Sequence, residues 1–193
     1  DAPAAAGSNT LTLPTSNGSA NQFLQNGSTA GTLEFGSLVS SDMPTGSILQ
    51  VVQASTSTQV AVSTSTFTDT GLSASITPSS SSNKILVIVD QDYQIAKNTA
   101  GMGGGIRILR DSTTIHNPIT DGTGPFDVYY ATESNAFGRI AITKLDSPSS
   151  TSSITYKTQG RPYTTTDSGQ MIFNVDGASI DGTSYITLME VAA

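Results

Sequence analysis

The sequence predicts an all-β protein: an antiparallel β-sandwich or jelly-roll-like domain, preceded by an extended β-rich segment that oligomerises. Three observations carry this. Apolar residues come in short alternating or β-branched runs, turn signals recur about every 8–12 residues, and no stretch has a helical period. The 193 residues are 36% hydrophobic and only 12% charged, so Ser, Thr, Gly, Asn and Gln make up most of the rest. That balance favours short strands and polar turns over helices, and its low charge separates it from charge-driven disorder.

The chain organises around residues 70–90. Leu72, Ala74 and Ile76 alternate with Ser73, Ser75 and Thr77, the period of a strand with one wet face. Pro78 lacks the amide that a ladder needs, and residues 79–83 are polar. Ile85, Leu86, Val87, Ile88 and Val89 then read as a strand buried on both faces. The expectation is a hairpin at the centre of a sheet.

Before it, residues 1–8 are an Ala/Gly/Ser-rich tether. Asp1 stands at a processed or engineered terminus, or within a longer chain. From residue 10 to 44, apolar residues form small clusters: Leu11 and Leu13, Phe23 and Leu24, Leu33 and Phe35, Leu38 and Val39. The turn signals Asn17-Gly18, Asn26-Gly27 and Ala30-Gly31 lie between them. Such pieces bury too little surface alone to offset an ordering entropy of roughly 1–2 kcal/mol per residue. Copies of the chain are therefore expected to cover Leu11, Leu13, Phe23, Leu24, Leu33, Phe35 and Leu38 around a symmetry axis. Three copies is the number that slender β-shafts commonly use. Pro44-Thr45-Gly46 separates this segment, residues 1–45, from a knob of residues 46–193.

Further strands are expected at 48–53, 59–63, 106–110, 113–116, 126–131, 138–145, 153–158, 171–175 and 185–191. The strand at 85–89 should run on to Ile95 with Val89, Gln91 and Tyr93 on one side. Gly101-Met102-Gly103-Gly104-Gly105 lacks the Lys-Ser/Thr of a phosphate-binding loop, and reads as a flexible turn or a close backbone approach.

Candidate chemistry is sparse. His116 is the sole histidine and Cys is absent, so neither a typical zinc site nor a disulfide framework is expected. Asp90 and Asp92 share a strand face, and Asp176-Gly177 and Asp181-Gly182 are turn dipeptides, but no EF-hand series is present. There is no G-x-S-x-G elbow, and Glu34, Glu133 and Glu190 read as strand or turn positions. No catalytic residue, metal or cofactor is assigned, and an enzyme is not expected. A net charge of −7 argues against nucleic acid, and no run is long enough for a membrane span. Asn17-Gly18-Ser19 and Asn26-Gly27-Ser28 match the N-glycosylation pattern, but hairpin turns explain both. The positive lead is aromatic: Tyr129, Tyr130, Tyr156 and Tyr163 fall in or beside strands near long loops, with Arg139 and Arg161 in the same half. Loops 117–125 and 160–169 are the expected recognition surface, and Tyr129, Tyr130, Tyr156, Arg161 and Tyr163 the candidate receptor contacts.

The stretch L-T-L-P-T-S-N-G-S-A-N-Q-F-L-Q-N-G-S-T-A-G-T-L-E-F-G, residues 11–36, resembles a repeat in fibre and appendage proteins of tailed bacteriophages. The blocks G-S-I-L-Q-V-V-Q (46–53), L-S-A-S-I-T-P-S-S-S-S-N-K-I-L-V (72–87) and Y-I-T-L-M-E-V (185–191) resemble the globular part of marine phage structural proteins. The resemblance implies a virion component at the particle surface, expected as a homotrimer on the shaft analogy, in host attachment or in decoration of the head or tail. It would contact other virion proteins and a host glycan or protein receptor, and no catalytic residues come with it. The rival readings are a bacterial surface or secreted adhesin (or carbohydrate-binding β-module), and a glycan-active enzyme.

Overall fold

A computed structural model describes residues 10–117, 127–177 and 180–193. The chain divides into two units, Asp1–Pro44 and Thr45–Ala193. In the first, β1 (Phe23–Asn26) and β2 (Leu33–Gly36) form an antiparallel hairpin. Thr12 adds a short parallel bridge to Thr32, with the Leu33 amide donating to the Thr12 carbonyl at 2.8 Å. Leu24 lies directly across from Phe35, so Leu24, Leu33 and Phe35 share one face while Gln25 and Glu34 share the other. No described residue of this unit is buried.

The second unit contains β3 (Ile48–Thr56), β4 (Val60–Val62), β5 (Thr68–Ile76), β6 (Lys84–Ala96), β7 (Met102–Arg110), β8 (Thr113–His116) and β9 (Val128–Tyr130). It continues through β10 (Asn135–Asp146), β11 (Ile154–Pro162), β12 (Gln170–Phe173), β13 (Asp176–Gly177), β14 (Ile180–Asp181) and β15 (Ser184–Val191). Two antiparallel sheets make a sandwich-like, all-β body. In the first sheet β10 lines one edge of β6, while β15 and then β12 line the other edge and carry β3 and β4 beyond them. The second sheet runs β5-β11-β7, with β8 and β9 sharing the far side of β7. One core fills the space between, including Leu72 and Ile76, Ile85, Val87 and Val89, Ile106 and Ile108, Phe173, and Ile186 and Leu188.

The expected central hairpin does not form. Thr70, Leu72, Ala74 and Ile76 of β5 are buried, as are Ile85, Val87, Val89, Gln91, Tyr93 and Ile95 of β6, but the strands belong to opposite sheets. Residues 77–83 arch over the end of the core, so the two strands meet through side chains and not through backbone bonds. The arch has a physical anchor in Glu190 of β15, which is 1% exposed. Its Oε1 accepts from the Ser79 amide (2.6 Å), the Ser79 hydroxyl (2.8 Å) and Asn83 Nδ2 (2.7 Å). Its Oε2 accepts from Gln50 Nε2 at 2.6 Å. The reading of residues 85–89 as buried on both faces is also corrected: Leu86 and Ile88 are half-buried, because nothing covers the outer face as fully as the second sheet covers the inner one.

The glycine run is strand, not turn. Met102 begins β7, and Gly103 and Gly104 lie where neighbours leave no room for a Cβ. At Gly103 a Cβ would meet the Val128 carbonyl and the Tyr129 ring, and at Gly104 the Arg161 carbonyl and Met171 Sδ. Close approach is the reason for glycine here.

A buried polar cluster crosses the core. Gln91, Thr70, Thr158, Asn174 and Ser184 are all fully buried. Gln91 Oε1 accepts from Thr158 (2.8 Å) and Thr70 (3.2 Å), and its Nε2 donates to Ser184 (2.6 Å) and Asn174 Oδ1 (3.2 Å). Asn174 Nδ2 closes the set by donating to the Thr58 and Thr70 carbonyls.

Candidate functional site

Alternation along β5, β11, β7 and β9 determines what the second sheet shows to solvent. Register places Gly105 opposite Arg161, Arg107 opposite Gln159, and Gln159 opposite Asp69. Gly103 lies opposite Tyr129, and the Tyr163 amide donates to the Gly103 carbonyl at 2.7 Å. The outer face is therefore a grid of rows: Tyr163–Gly103–Tyr129, then Phe67–Arg161–Gly105, then Asp69–Gln159–Arg107. Tyr129 and Tyr163 are 54% and 43% exposed, and their rings meet edge to face with centroids 6.1 Å apart.

The middle of the grid is cationic. The Arg107 and Arg161 guanidinium carbons lie 4.6 and 5.3 Å from the Phe67 ring centroid. Arg107 donates through Nε and Nη2 to Gln159 Oε1, at 2.8 and 2.5 Å. Arg161 Nη1 donates to the Ser65 carbonyl at 2.9 Å, while its buried Nε has no partner among the described residues. Asp69 pairs with Lys157 Nζ (2.9 Å) and Gln159 Nε2 (2.6 Å). Burial works to raise the Asp69 pKa, but the bonds from Gln159 and Lys157 outweigh it and hold the carboxylate below its ordinary range. Beside this patch a hollow of about 70 Å³, lined by Asp69, Gly71, Leu72, Ser73, Lys157 and Thr158, is far below the roughly 300–1,000 Å³ of small-molecule pockets.

Three of the five expected receptor contacts, Tyr129, Tyr163 and Arg161, come together on this face. Tyr130 faces the other way and shares a 3.1 Å hydroxyl–hydroxyl bond with Tyr93. Tyr156 is a correction: it is 0% exposed, and its hydroxyl donates to Asp146 Oδ2 at 2.7 Å beneath the Arg110–Asp146 ion pair. Position 156 falls on the inward parity of β11, opposite that of Arg161 and Tyr163. Of the expected recognition loops, residues 118–125 lie outside the described residues, and 160–162 of the second belong to β11. Phe67, Arg107 and Gln159 were missed. The signal was parity: Phe67 is two residues before Asp69, and Arg107 is two after Gly105.

Asp90 and Asp92 lie beside Arg139, whose Nε–Asp90 Oδ1 distance is 2.7 Å, and Asp92 Oδ2 accepts the Val175 amide. His116 ends β8, half-buried, with Nε2 unpartnered among the described residues. Leu11, Leu13, Leu24 and Leu38 of the first unit are 45–67% exposed, Phe23 and Phe35 are exposed, and Leu33 is half-buried. No protein-family model matches the chain, and a search of curated proteins returns no match.

Proposed function

We propose that the chain is a self-associating structural subunit of a surface appendage, a homotrimeric phage fibre or related virion part that contributes to host attachment. The observation that carries this is the first unit: an amphipathic hairpin with Leu24, Leu33 and Phe35 on one face and no buried described residue. Full burial of each Leu or Phe would contribute about 1.5–3 kcal/mol, a gain that sister copies supply around a common axis. The face carrying Tyr129 and Tyr163 suits the attachment half of the reading, since Tyr presents a stacking ring and a hydroxyl together.

The test is the mass in solution, by sedimentation equilibrium or native mass spectrometry. Three times the 19.8 kDa of one chain is expected, falling to a single chain in a Leu24→Ser/Phe35→Ser variant. A wild-type chain that stays single at micromolar concentration overturns the reading. Genomic neighbours separate a virion part, beside capsid and tail genes, from a bacterial adhesin, beside secretion genes.

A further inference from the structure

We infer that the outer face of the β5-β11-β7-β9 sheet binds an acidic polysaccharide, with a uronate-type carboxylate held by Arg161 and Arg107 and the sugar ring stacked on Tyr163 and Tyr129. This narrows the attachment reading above and rests on it.

The chain carries a net charge of −7, yet three of its eight basic residues, Arg107, Lys157 and Arg161, project from this one face. Ion pairs among the described residues engage Lys97, Arg110, Arg139 and Lys157. Arg107 and Arg161 instead rest on neutral acceptors, the Gln159 amide and the Ser65 carbonyl, and share one phenyl ring. Two like charges gathered on a ring, with no carboxylate among the described residues in contact, leave guanidinium N–H groups for an incoming anion. Asp69 lies within the field of Arg107 but makes its own bonds elsewhere. Asp69 is taken by Lys157 and Gln159, and Asp127 turns its Oδ2 to the Ile106 amide at 2.7 Å.

The shape selects a sugar. Successive rows are about 7 Å apart, so the span from the tyrosines to Arg107 is about 14 Å, the reach of two or three linked sugar rings. Carbohydrate C–H faces stack on exposed tyrosine, and Tyr129 and Tyr163 both reach solvent. A phosphate backbone would need a longer cationic row than these residues provide.

The test is calorimetry with a tetrasaccharide of hexuronic acid, the same tetrasaccharide reduced to its neutral alcohols, and a Glu-rich peptide. The uronate is expected to bind at least about tenfold more tightly than either, as charge-assisted hydrogen bonds require. Arg161→Gln and Tyr163→Ala should each weaken it by about tenfold with an unchanged melting temperature, and Arg107→Gln replaces Arg161→Gln if the latter fails to fold. Equal affinity for the reduced sugar, equal affinity for the peptide, no binding at millimolar sugar, or full binding by folded variants would each overturn the inference. Mass measurements on the same samples separate the readings. A trimer that ignores uronates defeats only this inference, whereas a single chain that binds them defeats only the assembly.

Discussion

Replacing Glu190 with Gln tests whether the arch of residues 77–83 is held by charge. The carboxylate accepts four hydrogen bonds, from the Ser79 amide and hydroxyl, Asn83 and Gln50. A bond to a charged group contributes about 1.5–3 kcal/mol against about 0.5–1.5 for a neutral one, so neutralising the acceptor costs about 3 kcal/mol. Gln50 adds to this: its Nε2 also donates to the Thr77 carbonyl at 2.7 Å, and that bond is lost if its amide turns to face the new NH₂. For a domain of this size about 3 kcal/mol lowers the melting temperature by about 6–12 °C. The pH dependence gives an independent check. Burial tends to raise the Glu190 pKa, but bonds from Asn83, Gln50 and Ser79 dominate and hold it below the ordinary carboxylate value. A depressed folded pKa confers stability that is fully present above the unfolded value of about 4.3 and is lost as pH falls through the folded one. The gap between wild type and Glu190→Gln should therefore be full at pH 7 and close on acidification below about 4.3. A melting point within about 2 °C of wild type at pH 7, or a gap that does not narrow in acid, would refute the reasoning.

Two further outcomes follow from the core. Tyr156→Phe removes the hydroxyl that donates to Asp146 and should cost about 2 kcal/mol in urea unfolding. Burial, and then the bond to Asp146, push the Tyr156 phenol far above its usual value, and burial with Tyr130 does the same at Tyr93. Alkaline absorbance titration of wild type should thus show Tyr93 and Tyr156 ionising only on unfolding, and the variant should lose one tyrosine from that late step. Gly160→Ala drives a Cβ into the Phe173 ring and should cost at least about 1–3 kcal/mol, whereas Gly177→Ala, with open space around it, should melt like wild type.

Side-chain parity was the legible part of this chain. Leu72, Ala74 and Ile76 are on the buried face that their alternation requires, Gln91 and Tyr93 continue the side begun by Val89, and Ile186 and Leu188 point inward on β15. Pairing was not legible. β5 finds its backbone partner in β11, some eighty residues on, and β6 finds β10, β12 and β15, none of them a neighbour in sequence. Alternation fixes which face is dry and is silent about which edge is bonded. The same limit explains the site. Arg161 and Tyr163 were visible by residue type, but Phe67 and Arg107 become neighbours of Arg161 only when three strands align. Tyr156 was misplaced because residue type was followed and parity along β11 was not.

The buried set around Gln91 also bears on how the body responds to load. Thr70 and Thr158 come from one sheet and Gln91 and Ser184 from the other, so these bonds bolt the two layers together through a dry interior. An apolar interior alone lets one layer glide over the other with gradual loss of contact. Here any sideways displacement must break several hydrogen bonds at once, in a medium that offers no water to replace them. In the attachment role proposed above, a pull on the body would meet this resistance to shear before its strands begin to peel.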